Sequence, residues 1–288
     1  MSAATYVTAQ ILRALPRARI GRAVGRLADH PWSPSIARAI VGVYARAYDV
    51  ALDEADTQGG WASFDAFFTR KLKGGLRPID ADPRVVLSPA DGRLESIARI
   101  DGRGTLVVKG RPYSVSDLVG GESEAGRLLG GTGLVIYLSP KDYHRVHAPV
   151  SGFIRRIRSM PGDYYPVNDV GVRHVANLLC RNRRVAIEID ADGGRGRVTV
   201  VMVAAMIVGR VTAIGVDARD VPMGDHHFDP PLRVERADEI GVFHLGSTAV
   251  LMLEPAAAGE WLIQQGAVRY GQALVRAPLA SVQPGALR

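Results

Sequence analysis

The spacing of apolar residues changes near residue 60, and this change limits the fold more than any other feature of the chain. Before it, apolar residues recur at three- and four-residue spacing, which is typical of helices. After Arg77 and Pro78 they gather in short runs separated by Gly, Pro and Asp, which is typical of strands. The sequence therefore predicts an α+β fold, with a helical region over residues 1–60 and a β-rich domain over residues 61–288.

The first helical segment, from Tyr6 to Leu27, is basic and amphipathic. Its apolar residues share the helical spacing and are Val7, Ile11, Leu15, Ile20, Val24 and Leu27. Its other faces carry Arg13, Arg17, Arg22 and Arg26. Pro16 is expected to divide the segment, since proline suits a first turn better than a helix interior. Such a helix can lie in the headgroup region of an anionic membrane, or it can pack on its own domain with its arginines in water.

Two further helices and a series of strands are expected. Residues 33–56 form the second helix, which Ser33 or Ser35 can cap, and Ile36, Ile40, Val43 and Ala47 lie on one side of it. The third helix is short, from Phe64 to Leu72. Strand-like runs follow at residues 84–89, 105–110, 133–140, 184–190 and 249–253.

Composition excludes some classes of protein. The single cysteine, Cys180, rules out an internal disulfide framework and fits a reducing compartment. The most apolar run, from Val198 to Gly209, is shorter than the roughly 20 residues that a membrane-crossing helix needs, so we expect a buried strand or strand pair there. The net charge of +7 favours contact with an anionic surface, either nucleic acid or acidic lipid.

Polar residues in the β-rich domain allow two kinds of site. His144 and His147 lie three residues apart after a strand, and such a pair can supply two ligands to zinc. The remaining ligands of a zinc hydrolase would then come from His174, Asp225, His226, His227 and Asp229. A second combination joins Asp91, His147 and Ser247, because a serine hydroxyl needs a base that a carboxylate orients.

The surroundings of Ser247 do not match an ordinary serine hydrolase. The Gly-x-Ser-x-Gly turn of those enzymes is absent from the sequence. Ser247 instead follows Gly246 directly, so the carbonyl of Gly246 is the nearest electrophile. We expect the carbonyl of Gly246 to be open to attack by the serine hydroxyl, because glycine lacks a side chain and tolerates a twisted backbone.

The motifs of the chain, taken in order, resemble those of the bacterial phosphatidylserine decarboxylase proenzymes. They are "FDAFFTRKLKGGLRPID", "SPADGR", "YLSPKDYHRVHAPVSG" and "LGST", with "KGRPYSVSDLVGG", "PGDYYPVN" and "ADEIGVFHLGST" in addition. The resemblance covers about residues 60–255. Each motif is weak alone, but the ordered set is specific. The basic helical N-terminus also resembles that of the long, membrane-associated members.

The resemblance implies a chain that cuts itself and makes its own cofactor. Ser247 would attack the Gly246 carbonyl, the peptide bond would become an ester, and elimination would cut the chain into residues 1–246 and 247–288. Ser247 would become a pyruvoyl group (covalent pyruvate), which forms a Schiff base with phosphatidylserine and allows decarboxylation to phosphatidylethanolamine. No metal is then expected. His147 would be the base, Asp91 would fix its tautomer, Thr248 would position the backbone or the oxyanion, and His144 would return the proton.

The resemblance also implies partners and a location. We expect a peripheral protein on the cytoplasmic face of the cell membrane, bound to an anionic surface through residues 1–60, which form a membrane-associating region, with residues 61–288 as the catalytic domain. The large and small subunits from one proenzyme would stay together, a homodimer is expected, and a nucleic-acid partner is not. Deletion of the region before about residue 30 should weaken membrane binding and leave self-cleavage intact. The alternatives are a zinc-dependent hydrolase and a non-catalytic lipid-binding protein.

Three positions depart from the pattern of the family. Arg183 stands where an acidic residue is usual, and Ala237 and Val242 stand where glycine and a basic residue are common. None of the three is a predicted catalytic residue.

Overall fold

A computed structural model of the chain describes residues 17–57, 60–167, 169–206 and 210–278. Helices come first and strands follow, so the predicted α+β class is confirmed. The helices are α1 (Arg17–Asp29), α2 (Pro34–Tyr48), α3 (Phe64–Phe68), α4 (Val115–Val119), α5 (Glu122–Leu128), α6 (Asp169–His174) and α7 (Leu178–Arg181). The strands are β1 (Val85–Leu87), β2 (Gly92–Arg99), β3 (Thr105–Val108), β4 (Arg111–Ser114), β5 (Thr132–Leu138), β6 (Arg145–His147), β7 (Gly152–Met160), β8 (Arg184–Ala191), β9 (Arg197–Ala204), β10 (Arg210–Ala213), β11 (Gly224–Val234), β12 (Glu239–His244), β13 (Ser247–Leu253), β14 (Glu260–Trp261), β15 (Gly266–Val268) and β16 (Ala273–Arg276).

Helix α1 is described from Arg17 onward, and the predicted break at Pro16 lies outside the described residues. Residues 6–16 of that predicted segment lie outside the described residues. The side of α1 that packs on the protein carries Gly21, Gly25 and Ala28, whereas Leu27 is 59% exposed. Val24 packs partly against the cluster of Ala28, Phe68 and Leu245, so of the apolar residues predicted within α1, Leu27 is the one that faces outward.

Helix α2 turns its larger apolar side chains outward. Ala37, Val41 and Ala45 are buried, while Ile36 is 47% and Val43 is 69% exposed. The predicted apolar side exists, but it faces away from the protein core. Ser33 occupies the N-cap position without a side-chain capping bond, and Pro34 fills the first turn.

Helix α3 is shorter than predicted and ends at Phe68 rather than Leu72. The Ser63 hydroxyl caps its start by accepting the Ala66 N–H at 3.1 Å. Leu72 instead forms an isolated bridge with Ala55, so the chain extends after Thr69. Phe67 and Phe68 are buried and anchor α3 against the other helices.

An eight-stranded antiparallel sheet forms the centre of the β-rich body, in the order β11-β7-β8-β9-β13-β5-β2-β15. Strand β13 lies inside it, paired along its whole length with β9 on one side and β5 on the other. Residues 249–253 of β13 are fully buried. Each buried Leu or Met side chain of this kind contributes roughly 1.5–3 kcal/mol. The predicted strand at Val198 is β9, and residues 207–209 lie outside the described residues.

A smaller sheet, β10-β12-β6, lies next to the large one. Strand β12 belongs to the small sheet and β13 to the large one, so the chain passes from sheet to sheet through residues 245–246. None of the helices in the described part of the chain has the length and apolar character needed to cross a bilayer.

Candidate active site

Two chain connections run side by side between the large and the small sheet. Strand β5 pairs with β13, with Leu138 opposite Ser247. Strand β6 pairs with β12, and the Phe243 N–H donates to the His144 carbonyl at 2.9 Å. Residues 139–144, which join β5 to β6, therefore lie next to residues 245–246, which join β12 to β13. This arrangement places His144 beside the segment that leads into the predicted cleavage site.

The twisted backbone expected at Gly246 lies one residue earlier. Leu245 has a φ of +87°, a left-handed conformation that costs a non-glycine residue on the order of 1–3 kcal/mol. A Cβ built on Gly246 would meet no described atom within 4 Å, so packing does not require a glycine there. The expectation that Gly246 itself carries the strained conformation is therefore corrected, because Leu245 carries it.

Ser247 is the first residue of β13, and its backbone pairs with Leu138 and with Ala204. Its side chain lies outside what the structure describes. Thr248 follows in the same strand and is buried. A chain that ends at Gly246 would leave Ser247 held between two neighbouring strands.

His147 is buried, and both of its ring nitrogens have partners. Nδ1 lies 2.7 Å from the Ala237 carbonyl oxygen, which can only accept, so Nδ1 carries the proton. Nε2 is then the acceptor, and the Tyr143 hydroxyl lies 3.1 Å from it. Burial lowers the pKa of His147, although the Ala237 carbonyl opposes this shift. The imidazole is thus neutral near pH 7 and has a lone pair on Nε2, as a general base requires.

Asp91 does not contact His147 in the way that the sequence suggests. Its carboxylate binds the Arg77 guanidinium, with Oδ2 2.5 Å from Nη2, and it accepts the Tyr270 N–H at 2.8 Å. The Tyr270 ring stacks on His147 with ring centres 3.9 Å apart and an angle of 8°. Asp91 therefore reaches His147 through Tyr270, and the tautomer is fixed by Ala237 instead. In this structure the Asp91 carboxylate is paired directly with Arg77, and its role toward His147 stays a prediction.

His144 is fully buried and neutral. Nδ1 donates to the Asp142 carbonyl at 2.8 Å, and the ring lies against Phe68 with centres 4.0 Å apart. Burial lowers its pKa to about 3. Nε2 has no hydrogen-bond partner among the described residues. His144 therefore presents one unused polar atom inside the protein.

A cavity of ≈ 360 Å³ lies beside Asp91 and Tyr143. Its walls include the cations Arg70, Lys141 and Arg269. Arg70 is 5% exposed, and one of its terminal nitrogens, Nη2, donates to the Lys141 carbonyl at 2.8 Å. Its Nε and Nη1 have no hydrogen-bond partner within the described part of the chain. A buried guanidinium without a carboxylate partner is suited to bind an anion.

Sequence reasoning did not identify the aromatic and backbone partners of His147. Tyr143 lies within the quoted "KDYHRVH" motif, but its contact with His147 depends on the path of residues 139–144. Tyr270 lies in a stretch for which we predicted no function. Ala237 was noted only for replacing a common glycine, and its φ of +68° is the conformation that glycine adopts most readily.

The other two departures are Arg183 and Val242, and Val242 is opposite Arg145, the residue after His144. Arg183 is buried, with Nη1 2.8 Å from Oδ1 of Asp220, so an acidic partner comes from another part of the chain. Val242 lies in β12 opposite Thr212.

The alternative of a zinc site has no support from the arrangement of the predicted ligands. The described residues contain no group of three or more His, Cys, Asp and Glu side chains that could hold a metal ion. His226 binds the Pro222 carbonyl through Nε2, and His227 is largely exposed on β11. His144 and His147 direct their Nδ1 atoms to two different backbone carbonyls.

Comparison with known proteins gives a consistent result. The family model described as phosphatidylserine decarboxylase matches residues 64–276. The chain is 35% identical over 270 residues to a phosphatidylserine decarboxylase proenzyme of Myxococcus xanthus, covering 91% of this chain and 95% of that protein. Proteins of the same name from Psychrobacter arcticus and Marinobacter nauticus are 36% identical over 276 residues and 37% over 269 residues. These two matches cover 92% and 90% of this chain and 96% and 93% of the relatives.

Proposed function

This chain belongs to the phosphatidylserine decarboxylase family, and from this premise we propose that it decarboxylates phosphatidylserine to phosphatidylethanolamine after cutting itself between Gly246 and Ser247. The observation that carries the proposal is the position of the predicted cut. It falls at the end of the connection between two sheets, after Gly246, which follows the left-handed Leu245, and directly before the first residue of an inner strand. The zinc-hydrolase and lipid-binding alternatives have no support.

The residues around the cut suit the self-cleavage reaction. His147, neutral and with Nε2 as its acceptor nitrogen beside the Tyr143 hydroxyl, would take the proton of the Ser247 hydroxyl. The hydroxyl oxygen would bond to the Gly246 carbonyl carbon, the C–N bond would break, and an ester would result. Loss of the Ser247 α-proton would then expel the Gly246 carboxylate and leave dehydroalanine, which water converts to a pyruvoyl group with release of ammonia.

The same residues fit a pyruvoyl group at position 247. When formed, it supplies an electron-withdrawing ketone that stabilises the negative charge left by departing carbon dioxide. His144 has an unpartnered Nε2 inside the protein and lies beside the strand that precedes the cut. We assign it the task of holding the proton that returns to the substrate carbon. Thr248 and the ladder of β13 with β5 and β9 would keep position 247 fixed.

The substrate headgroup would use the cavity beside Asp91 and Tyr143. A phosphodiester carries a negative charge, and Arg70 offers two N–H-bearing nitrogens without hydrogen-bond partners among the described residues. Lys141 adds positive charge on the same cavity wall, whereas Arg269 is paired with Glu54 at 3.4 Å. The lining also carries Asp49, Asp91 and Asp142. A bound phosphate would balance the positive charge of the Arg70 guanidinium, which has no carboxylate paired with it in the described part of the chain.

The outward apolar sides of α1 and α2 would contact the membrane. Leu27, Ile36 and Val43 are exposed, and basic residues such as Arg26 and Arg38 lie on the same helices. Apolar residues next to cations suit the interface of an anionic membrane. Peripheral binding at the cytoplasmic face, the 1–60 and 61–288 division and a homodimer are part of the same proposal.

One measurement tests self-cleavage and terminal chemistry together. Purified protein is resolved on a denaturing gel, and its components are weighed by intact mass spectrometry. We expect a large chain of residues 1–246 and a small chain of residues 247–288 that begins with a keto group and resists Edman sequencing. The Ser247→Ala variant should remain one chain. Wild-type protein that folds and stays uncut would disprove the proposal.

A further inference from the structure

The N-terminal helices touch both connections that flank the predicted cut. Leu245 is buried against Ala28 of α1 and Phe68 of α3. On the neighbouring connection, the Tyr44 hydroxyl of α2 donates to the Pro140 carbonyl at 3.1 Å. Of the two roles that the sequence leaves open for the N-terminal helix, packing on its own domain is therefore seen in α1, and α1, α2 and α3 all contact the connections beside the predicted cut.

A chain of polar contacts ties the same helices to the strand before the cut. His244, the last residue of β12, places Nδ1 2.9 Å from Oδ2 of Asp65 in the first turn of α3. Because an ionised carboxylate can only accept, Nδ1 is the donor. Nε2 of His244 lies 3.3 Å from the Thr212 hydroxyl, so both ring nitrogens are held.

Arg210 extends this network to the end of α1. Its Nη2 lies 3.1 Å from Asp65 Oδ2 and donates to Asp29 Oδ1 at 2.7 Å. Asp29 is the last residue of α1, and it also binds Arg219. Arg210 and His244 are opposite each other in the ladder of β10 and β12. Two acidic residues from two helices thus bind both members of this strand pair.

These contacts converge on the residue with the strained backbone. Leu245 lies between His244 and the predicted cut, and its φ of +87° is unfavourable for a leucine unless its surroundings impose it. Its side chain is held by α1 and α3, and the residue before it is held by Asp65. The contacts that impose the conformation of Leu245 therefore come from α1 and α3.

We propose that α1 and α3 hold residues 244–246 in the conformation that self-cleavage requires, with Asp65 and His244 as positioning residues. This inference rests on the proposed self-cleavage between Gly246 and Ser247. It also reverses one expectation from the sequence. Loss of the region before residue 30 should slow self-cleavage, because Ala28 and Asp29 belong to the contacts that position Leu245.

The test follows self-cleavage of the full-length chain over time after cell-free synthesis, on denaturing gels. Asp65→Asn keeps the shape of the side chain and removes its charge, and we expect the cleavage rate to fall about tenfold or more. Asp190→Asn is the matched control. Asp190 also binds arginines, Arg155 and Arg197, but it lies at the end of β8 away from the row of Ser247. The control should cleave at the wild-type rate.

A second substitution separates positioning from general stability. Glycine adopts a positive φ without penalty, so Leu245→Gly should restore much of the cleavage rate in the Asp65→Asn chain. If Leu245→Gly lowers the melting temperature of the uncut Ser247→Ala protein, Leu245→Asn takes its place, because asparagine also tolerates this conformation. Because a glycine at a positive φ can also stabilise the folded chain, the melting temperatures of the same variants are compared in the uncut Ser247→Ala background, and only rescue of cleavage without a rise in melting temperature counts as rescue.

Each outcome decides between the alternatives. Wild-type cleavage in Asp65→Asn overturns the inference, and so does slow cleavage that neither Leu245→Gly nor Leu245→Asn improves. Slow cleavage with rescue supports it. A wild-type chain that never cleaves is a separate result, since it removes the proposed function on which this inference rests.

Discussion

The carbonyl oxygen of Ala237 accepts a hydrogen bond from Nδ1 of His147 at 2.7 Å, and Ala237 makes this contact from a backbone φ of +68°. A residue in an unfavourable conformation therefore fixes the tautomer of the proposed base. The contact leaves Nε2 of His147 as the acceptor, next to the Tyr143 hydroxyl.

Replacing Ala237 with glycine should stabilise the protein. A left-handed alanine costs roughly 1–2 kcal/mol, and glycine loses part of this gain through its larger chain entropy, so we expect a net gain of up to about 1 kcal/mol. The measurement is the melting temperature of Ala237→Gly in the uncut Ser247→Ala background. Ala237→Val should have the opposite effect, because a β-branched residue tolerates this conformation poorly. A lower melting temperature for Ala237→Gly would contradict the claim that the left-handed conformation of Ala237 destabilises the protein.

Substitution of the two histidines should separate two reactions. His147→Gln should slow self-cleavage by about 100-fold or more, because general base catalysis contributes on that order. His144→Asn should cleave and then fail in decarboxylation, since asparagine can still donate to the Asp142 carbonyl but cannot exchange a proton. Gels report the first reaction, and carbon dioxide release from phosphatidylserine vesicles reports the second. A His144→Asn chain that decarboxylates normally would assign the proton return to another group.

Acid should destabilise the protein partly through His144. Burial lowers the folded-state pKa of His144 from 6.5 to about 3, so between these values the unfolded chain binds the proton and the folded chain does not. The stability contributed by neutral His144 is complete above pH 6.5 and is lost as the pH falls toward 3, by at most about 1.4 kcal/mol per pH unit. Urea unfolding of the Ser247→Ala protein from pH 7.5 to 4, with and without His144→Asn, measures this slope. An equal slope in both proteins would contradict the buried, neutral histidine.

Charges placed on the outward side of α2 should weaken membrane binding. Ile36→Glu and Val43→Glu each remove apolar area and add a negative charge at the proposed interface, so vesicle affinity should fall about tenfold. Co-sedimentation with anionic vesicles measures the bound fraction. Val107→Glu is the control, because Val107 is similarly exposed at 48% but lies in β3 of the β-rich body. Equal loss in all three variants would place the membrane contact elsewhere.

Removing the charge of Arg70 should weaken substrate binding more than it slows turnover. A charge-assisted hydrogen bond contributes roughly 1.5–3 kcal/mol, so Arg70→Gln should raise KM by about 10- to 100-fold. Mature wild-type and variant enzymes are compared on phosphatidylserine in detergent micelles. Arg103→Gln, an exposed arginine between β2 and β3, serves as the control. An unchanged KM with a reduced kcat would instead indicate that Arg70 supports His144.

The sequence predicted the order of elements because their signals are local. The strands at Thr132–Leu138, Arg184–Ala191 and Ser247–Leu253 coincide with apolar runs, and the start of α3 follows a serine cap. The motifs also led to His144, whose carbonyl accepts the Phe243 N–H in the strand that precedes the predicted cut. Their roles at the site remain predictions, since the Ser247 side chain lies outside the described residues.

The contacts between side chains could not be predicted in the same way. Whether the Asp91 carboxylate binds His147 or Arg77 depends on which of the two side chains the fold places next to it. The neighbour is Arg77, with Nη2 2.5 Å from Oδ2. The left-handed conformation of Leu245 has no signal in its residue type, and that of Ala237 is indicated only by the glycine that is common at this position in the family. The helical pattern of α2 identified an apolar side, but a single helix cannot indicate whether that side meets the protein or its surroundings.

The position of strand β13 inside the large sheet affects how the protein could refold after the proposed cleavage. The piece that starts at Ser247 supplies an inner strand of the large sheet and also β14, β15 and β16, so four ladders, β13 with β5 and β9, β15 with β2, and β16 with β1, would hold it after the predicted cut. Before the cut, folding is an event within one polymer; afterwards the same architecture needs two molecules to meet, and its recovery after denaturation depends on concentration. Self-cleavage would thus be irreversible in a second sense. The uncut chain can refold alone after denaturation, whereas the cut protein would refold efficiently only when its two chains meet.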